Sequence, residues 1–211
     1  MKKAIAAVIL TLIFLSIGVI LIKQTPFKSR KGDEKKMTEV LTEKKVLMIV
    51  APENFRDEEF FQPKEILQQG GVQITVASKG VSEAKGMFGR TTQVDKDITQ
   101  VSVDNYEAII FVGGTGSSIY FEDSLALNLA KKFYDSGKLV GAICIAPSIL
   151  ANAGILQGKR ATAFSSEAEN LRAKGAQYTG ENITVDGKII TASGPQAAKQ
   201  FGEEILKKLS S

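Results

Sequence analysis

The stretch Leu139-Val-Gly-Ala-Ile-Cys-Ile-Ala-Pro147 runs from continuous apolar residues to a proline, with a cysteine between them. Leu139 to Ile143 predicts a strand buried on both faces. Pro147 suits the first turn of a following helix, where the missing N–H is one of the unpaired ones anyway. Cys144 stands at the junction, with Ala142 and Ala146 two positions to either side. A nucleophile held on a tight strand-to-helix elbow needs small residues at those positions, because the two backbones nearly touch there. The start of a helix also turns free amides and a positive dipole toward such a thiol, so a depressed pKa is expected. The competing reading is a buried cysteine that merely fills space as a small apolar side chain.

Working outward, strand and helix signals alternate. Upstream, Lys45 to Val50 is another buried run, and Asp57 to Gln69 is helical in pattern. Gly70-Gly71 ends that helix, while Pro63 kinks it or starts its second half. Val72 to Ser78 reads as a strand, and Gly86 to Ile98 as a polar hairpin at the sheet edge. Ala108 to Val112 is the next buried strand, closed by Gly113-Gly114, and Ser124 to Tyr134 carries Leu125, Leu129 and Phe133 at helical spacing. Beyond the elbow come a helix over Pro147 to Ala153 and a hairpin of Ile183–Val185 and Ile189–Thr191 about Asp186-Gly187. A last helix covers Gln196 to Leu209. The alternation predicts an α/β three-layer sandwich with a mainly parallel, flavodoxin-like sheet. Ligands in such folds sit beyond the carboxyl ends of the strands, which points to residues 51–59, 113–118 and 144–147.

The segment Ala142-Ile-Cys-Ile-Ala-Pro-Ser-Ile-Leu-Ala-Asn-Ala-Gly-Ile-Leu-Gln-Gly-Lys-Arg-Ala-Thr162 resembles the central signature of the ThiJ/PfpI superfamily, of the class I glutamine amidotransferase-like type. Phe55-Arg-Asp-Glu-Glu-Phe-Phe-Gln-Pro63, Phe111-Val-Gly-Gly114 and Thr191-Ala-Ser-Gly-Pro195 resemble its acidic helix start, its glycine turn and the beginning of its last helix. The resemblance implies that Cys144 is the nucleophile, that Glu59 is the buried carboxyl beside its sulfur, and that the amides of Gly114 and Ile145 form an anion or oxyanion pocket. Glu58 is the fallback for the carboxyl if the register of that helix is off by one. Read without the resemblance, Glu58 and Glu59 are ordinary acidic residues of a first helical turn, and Gly113-Gly114 is a tight turn. Two departures bear on function. Many hydrolase-like members carry His directly after the cysteine, where this chain has Ile145. Peptidase-type members use a Glu at the position of Ser118. A Cys-His-Glu peptidase is therefore not expected.

The chain has 211 residues, no histidine and a single cysteine. It can form no intrachain disulfide, no Cys-based zinc cage, no His-ligated metal site and no Ser-His-Asp triad. No cofactor is expected: Gly114-x-Gly116 hints at a dinucleotide loop, but Ile119 takes the place of the third glycine and the loop does not follow the first strand. The net charge of +4 owes much to Lys23, Lys28, Arg30, Lys31, Lys35 and Lys36. They read as a solvated tether beside a membrane rather than a nucleic-acid surface. Ala4 to Ile22 is uncharged and spans roughly 28 Å as a helix, about the thickness of a bilayer core. It exceeds a usual signal-peptide core and no A-x-A site follows, so residues 1–23 read as an uncleaved single-pass transmembrane anchor. Residues 24–43 read as a polar linker and residues 44–211 as the α/β domain. The basic excess after the span favours a cytoplasmic domain, although a Met-Lys-Lys start often behaves the opposite way.

Three functions compete. The first is cysteine-dependent action on a small reactive carbonyl compound through a Cys144–Glu59 pair, as in the glyoxalase- and deglycase-type branches. The second is a redox-responsive stress protein whose cysteine oxidises. The third is a non-catalytic binding module of the same fold. The resemblance also implies a homodimer.

Overall fold

A computed structural model describes residues 41–211. The expected anchor over residues 1–23, and residues 24–40 of the expected linker, lie outside the described residues. Among the described residues no helix is long and apolar enough to cross a membrane. Leu41, placed in the linker by sequence, is 3% exposed and packs in the core with Val46 and Leu67. The folded unit therefore reaches back past residue 44.

In chain order the elements are β1 (Lys45–Ile49), β2 (Glu53–Phe55), α1 (Asp57–Gln69), β3 (Gln73–Ser78), β4 (Glu83–Gly86), β5 (Thr91–Gln93), β6 (Lys96–Asp97) and β7 (Ala108–Phe111). They continue with α2 (Ser124–Asp135), β8 (Leu139–Ile143), α3 (Pro147–Asn152), β9 (Arg160–Ala161), α4 (Ala168–Ala173), β10 (Gln177–Tyr178), β11 (Ile183–Asp186), β12 (Ile189–Ala192) and α5 (Ala198–Leu209). The main sheet has the order β11-β12-β8-β7-β1-β3-β6, and every pair is parallel except the edge hairpin β11–β12.

Alternate side chains of the central strands feed two cores. Leu47, Ile49, Ile109 and Phe111 pack with Leu129 and Phe133 of α2 and Leu150 of α3. Val46, Met48, Ala108 and Ile110 face the other way, onto Phe60 of α1 and Phe201 and Ile205 of α5. This is the three-layer α/β sandwich that unbroken apolar strands require. Helix α1 runs through Pro63 without interruption. It lies so close to α5 that a Cβ at Gly202 would stand 2.8 Å from Pro63 Cα.

The hairpin expected at the sheet edge is built differently. Strands β4 and β5 pair with β2 in a separate three-stranded sheet, and only the two residues of β6 join the main edge. The cause is local: the chain leaving β1 turns into β2 beside β4, and the Lys85 amide donates to the Pro52 carbonyl over 2.9 Å.

Candidate active site

Cys144 follows β8 directly, in a backbone conformation with φ of 65°. Among the described residues only Asn54 shares a positive φ without being glycine. A side chain is strained there, so the surroundings must hold it. They do so on both sides: the Cys144 amide donates to the Ala192 carbonyl at the end of β12 (2.9 Å), and its carbonyl accepts from the Phe164 amide (2.8 Å). Ala142 and Ala146 are fully buried about the turn, as the elbow reading requires, and Pro147 opens α3.

Glu59 comes from the first turn of α1 and is fully buried. The Arg56 amide donates to the Gly113 carbonyl (3.0 Å), which ties the start of that helix to the chain leaving β7. Gly113 lies between the two side chains of interest. A Cβ there would collide with Glu59 Oε2 and stand 2.5 Å from Cys144 Cβ. Gly114, at φ 93°, is equally constrained, since a Cβ would meet the backbone of residues 54–56. Both glycines of the turn are thus fixed by close approach.

Neither carboxyl oxygen of Glu59 has a partner at ordinary hydrogen-bond geometry. The Cys144 thiol and the Gly113 amide are nonetheless close enough to bias its proton. A carboxyl so poorly solvated is far cheaper to keep neutral than charged. Burial accordingly raises the Glu59 pKa from 4.5 to about 8, against the opposing pull of the Cys144 thiol and the Arg56 charge.

The thiol departs from the sequence expectation. Burial first, and the Glu59 charge second, push Cys144 up from 9.0 to about 12, while the amides of Gly114 and Ile145 pull it down. Helix α3 has only six residues, which leaves little dipole to oppose desolvation. Burial raises the thiol whichever form Glu59 takes, and an ionised Glu59 adds to it. At neutral pH Glu59 holds its proton, the like charge is absent, and the carboxyl O–H can donate to sulfur. The two groups therefore share protons as one unit.

A cleft of about 290 Å³ opens over this pair, lined by Arg56, Glu59, Met87, Gly114, Thr115, Cys144, Ile145, Phe164, Ser166 and Pro195. It lies beyond the carboxyl ends of the central strands, where the fold class predicts a ligand site. Glu58, the fallback carboxyl, turns outward and pairs with Arg56 (Nε–Oε2, 2.8 Å). Ser118 is exposed and donates to the Thr115 carbonyl, away from the cleft lining.

Sequence reasoning gave no role to Arg56, Met87, Phe164 or Ser166. Met87 arrives on the tip between β4 and β5, which is pinned by the buried Asp57. That carboxylate accepts from the amides of Phe88 (2.9 Å) and Arg90 (3.3 Å). Phe164 and Ser166 arrive on the loop after β9, beside Glu167, which accepts from the Ser148 hydroxyl of α3 (2.6 Å).

Residues 44–208 match the sequence model of the DJ-1/PfpI family. The chain belongs to the DJ-1/PfpI family. A DJ-1/PfpI ancestry accounts for the elbow, the glycine turn and the acidic helix start together. An uncharacterised protein of Methanocaldococcus jannaschii is 45% identical over 166 residues, 77% of this chain and 81% of that protein. A deglycase of Thermococcus kodakarensis is 28% identical over 163 residues, covering 77% of this chain and 98% of the relative. Among solved structures, a ThiJ/PfpI domain protein from Brachyspira murdochii superposes with a TM-score of 0.77 at 33% identity, over 78% of this chain and 95% of that one.

Proposed function

We propose that this DJ-1/PfpI protein converts small reactive carbonyl compounds through Cys144, with Glu59 relaying the proton, in the manner of a deglycase or glyoxalase. The observation that carries the reading is a fully buried carboxyl, whose burial favours the protonated form, beside a thiol at the floor of an otherwise mostly apolar cleft. Relatives named deglycases support the substrate class.

The first step follows from the protonation states. The carbonyl oxygen of the substrate takes hydrogen bonds from the Gly114 and Ile145 amides, which bear on the sulfur. Sulfur attacks the carbonyl carbon as the C=O π bond opens. Glu59 receives the thiol proton on one oxygen and gives up its own from the other, to the new alkoxide. The product is a neutral hemithioacetal and Glu59 ends as it began. No histidine is needed, because a carboxyl held near neutrality can both give and take a proton.

Methylglyoxal consumption by the full-length protein, compared with Cys144→Ser, tests this. Equal rates for the two would refute it. A redox role is the second reading, since Cys144 is only partly buried and opens on the cleft. Under that reading peroxide would add oxygen mass at Cys144 faster than any carbonyl is consumed. The same proposal includes residues 1–23 as a membrane anchor with the domain on the cytoplasmic side, and a homodimer. Resistance of the full-length protein to alkaline extraction from membranes checks the anchor.

A further inference from the structure

We infer that Arg56 makes the Cys144 cleft selective for carbonyl compounds that carry a carboxylate next to the reacting carbon. The inference deepens the proposed carbonyl chemistry and rests on it for the identity of the substrate, though not for its test.

Arg56 is the residue just before α1, and its backbone stands against Gly114, whose amide faces the sulfur. Arg56 is one of the residues that line the cleft. The guanidinium lies over the Phe88 ring, 4.5 Å from the centroid, and its Nε bonds Glu58. Stacking and pairing fix the plane of the fork, and its charge is felt at Glu59.

Every other residue lining the cleft is uncharged at neutral pH once Glu59 holds its proton. Met87, Ile145 and Phe164 supply apolar walls that carry no charge of their own. Arg56 is therefore the lining's only net charge. Glu58 weakens it without cancelling it, since the pull of Arg56 on Glu59 exceeds the opposing push of Glu58. Glu58 is also partly exposed, at 37% for its side chain, so an incoming carboxylate can displace it from one edge of the fork. A two-carbon oxo acid with an aldehyde, such as glyoxylate, then sets its carbonyl at sulfur and its carboxylate at Arg56. The bonds made are those of the neutral case: S–C forms, the C=O π pair becomes an alkoxide, and that oxygen takes the thiol proton by way of Glu59.

The test uses two alkylating agents with the same reacting carbon and leaving group, one charged and one neutral. Iodoacetate places a carboxylate one carbon from the sulfur it forms, and iodoacetamide places a neutral amide there. In both, S–C bond formation expels iodide and the thiol proton leaves to solvent. Rates on Cys144 of the full-length protein are divided by those on free glutathione under the same conditions. A unit charge a few ångströms away in partly solvated surroundings changes such a ratio by on the order of fivefold. We expect the normalised iodoacetate preference to fall by about that factor in Arg56→Gln, to rise in Glu58→Gln, and to shrink in wild type as salt is added. Circular dichroism of each variant controls for folding. A normalised ratio unchanged by Arg56→Gln, or insensitive to salt, overturns the inference. Failure of the proposed reaction looks different: neither glyoxylate nor methylglyoxal is consumed, while the alkylation ratio still responds to Arg56.

Discussion

Replacing Glu59 by Gln should remove a pH dependence of stability that, among the described residues, no other side chain with a shifted pKa supplies between pH 5 and 8. Glu59 has an ordinary pKa of 4.5 in the unfolded chain and about 8 in the native one. Below pH 4.5 both states hold the proton and no difference arises. Between 4.5 and 8 the unfolded chain has released it and the native state has not. The unfolded state then binds fewer protons, so stability falls as pH rises. Above 8 both are ionised, and the native state carries the whole cost of a buried charge, on the order of 5 kcal/mol at about 1.4 kcal/mol per tenfold change in proton affinity. Roughly 3–4 kcal/mol of it should be lost between pH 5 and 8. The window is clean: the chain has no histidine. Asp97 and Asp123, held below their ordinary 3.8, have lost their protons in both states by pH 5. The Cys144 thiol enters only above its ordinary 9.0. Urea unfolding of the full-length protein and of Glu59→Gln, followed by circular dichroism because the chain has no tryptophan, gives the comparison directly. Wild-type stability should decline through the window while the variant's stays level by comparison. Parallel curves would mean that Glu59 is solvated or ionised at neutral pH, and the proton relay would lose its basis.

Iodoacetamide labelling of Cys144 should stay low through pH 8, because an ionised Glu59 helps to hold the thiol proton on, and should rise only toward 12; Glu59→Gln removes that like charge and should move the rise to lower pH, and a wild-type midpoint near a free thiol's 8.5 would refute the coupling. Gly113→Ala should destabilise by about 2–3 kcal/mol through its clash with the Glu59 carboxyl and the Cys144 side chain, and should alter the labelling profile, which an unstrained site would not show. Asp57→Ala removes the acceptor of two amides in the hairpin tip and should cost about 2 kcal/mol; hydrogen exchange at Met87–Arg90 should accelerate, and unchanged protection would show that the tip holds itself.

The parts of the fold that sequence made legible are those whose cause is local. Lys45–Ile49, Ala108–Phe111 and Leu139–Ile143 are apolar on both faces because both faces are covered, and Asp186-Gly187 turns a hairpin because Gly187 takes a φ of 60°. The elbow was legible for the same reason, since Ala142, Ala146 and Pro147 are demands of backbone proximity. What depends on partners distant in sequence was not. Strands β2, β9 and β10 have two or three residues each and exist through their pairings. Helix α4 has six residues, too few to show a period. The direction of the thiol's pKa turned on how much water α1 and the loops exclude, which no motif encodes. Arg56 lay in plain view within a quoted motif, and only the position of the Cys144 cleft beside it gives the charge a use.

The left-handed backbone at Cys144 divides what selection could want from that position. Glycine would relieve roughly 1–2 kcal/mol of steric strain there, and asparagine some of it, yet either would remove the only sulfur of this kind in the chain. A library randomised at position 144 and screened for thermal resistance would thus drift toward residues that a screen for thiol reactivity discards. Serine, with a side chain nearly the shape of cysteine's, leaves the strain where it was. It is the replacement that separates the loss of chemistry from a gain in stability, and Cys144→Gly is the one that would confuse them.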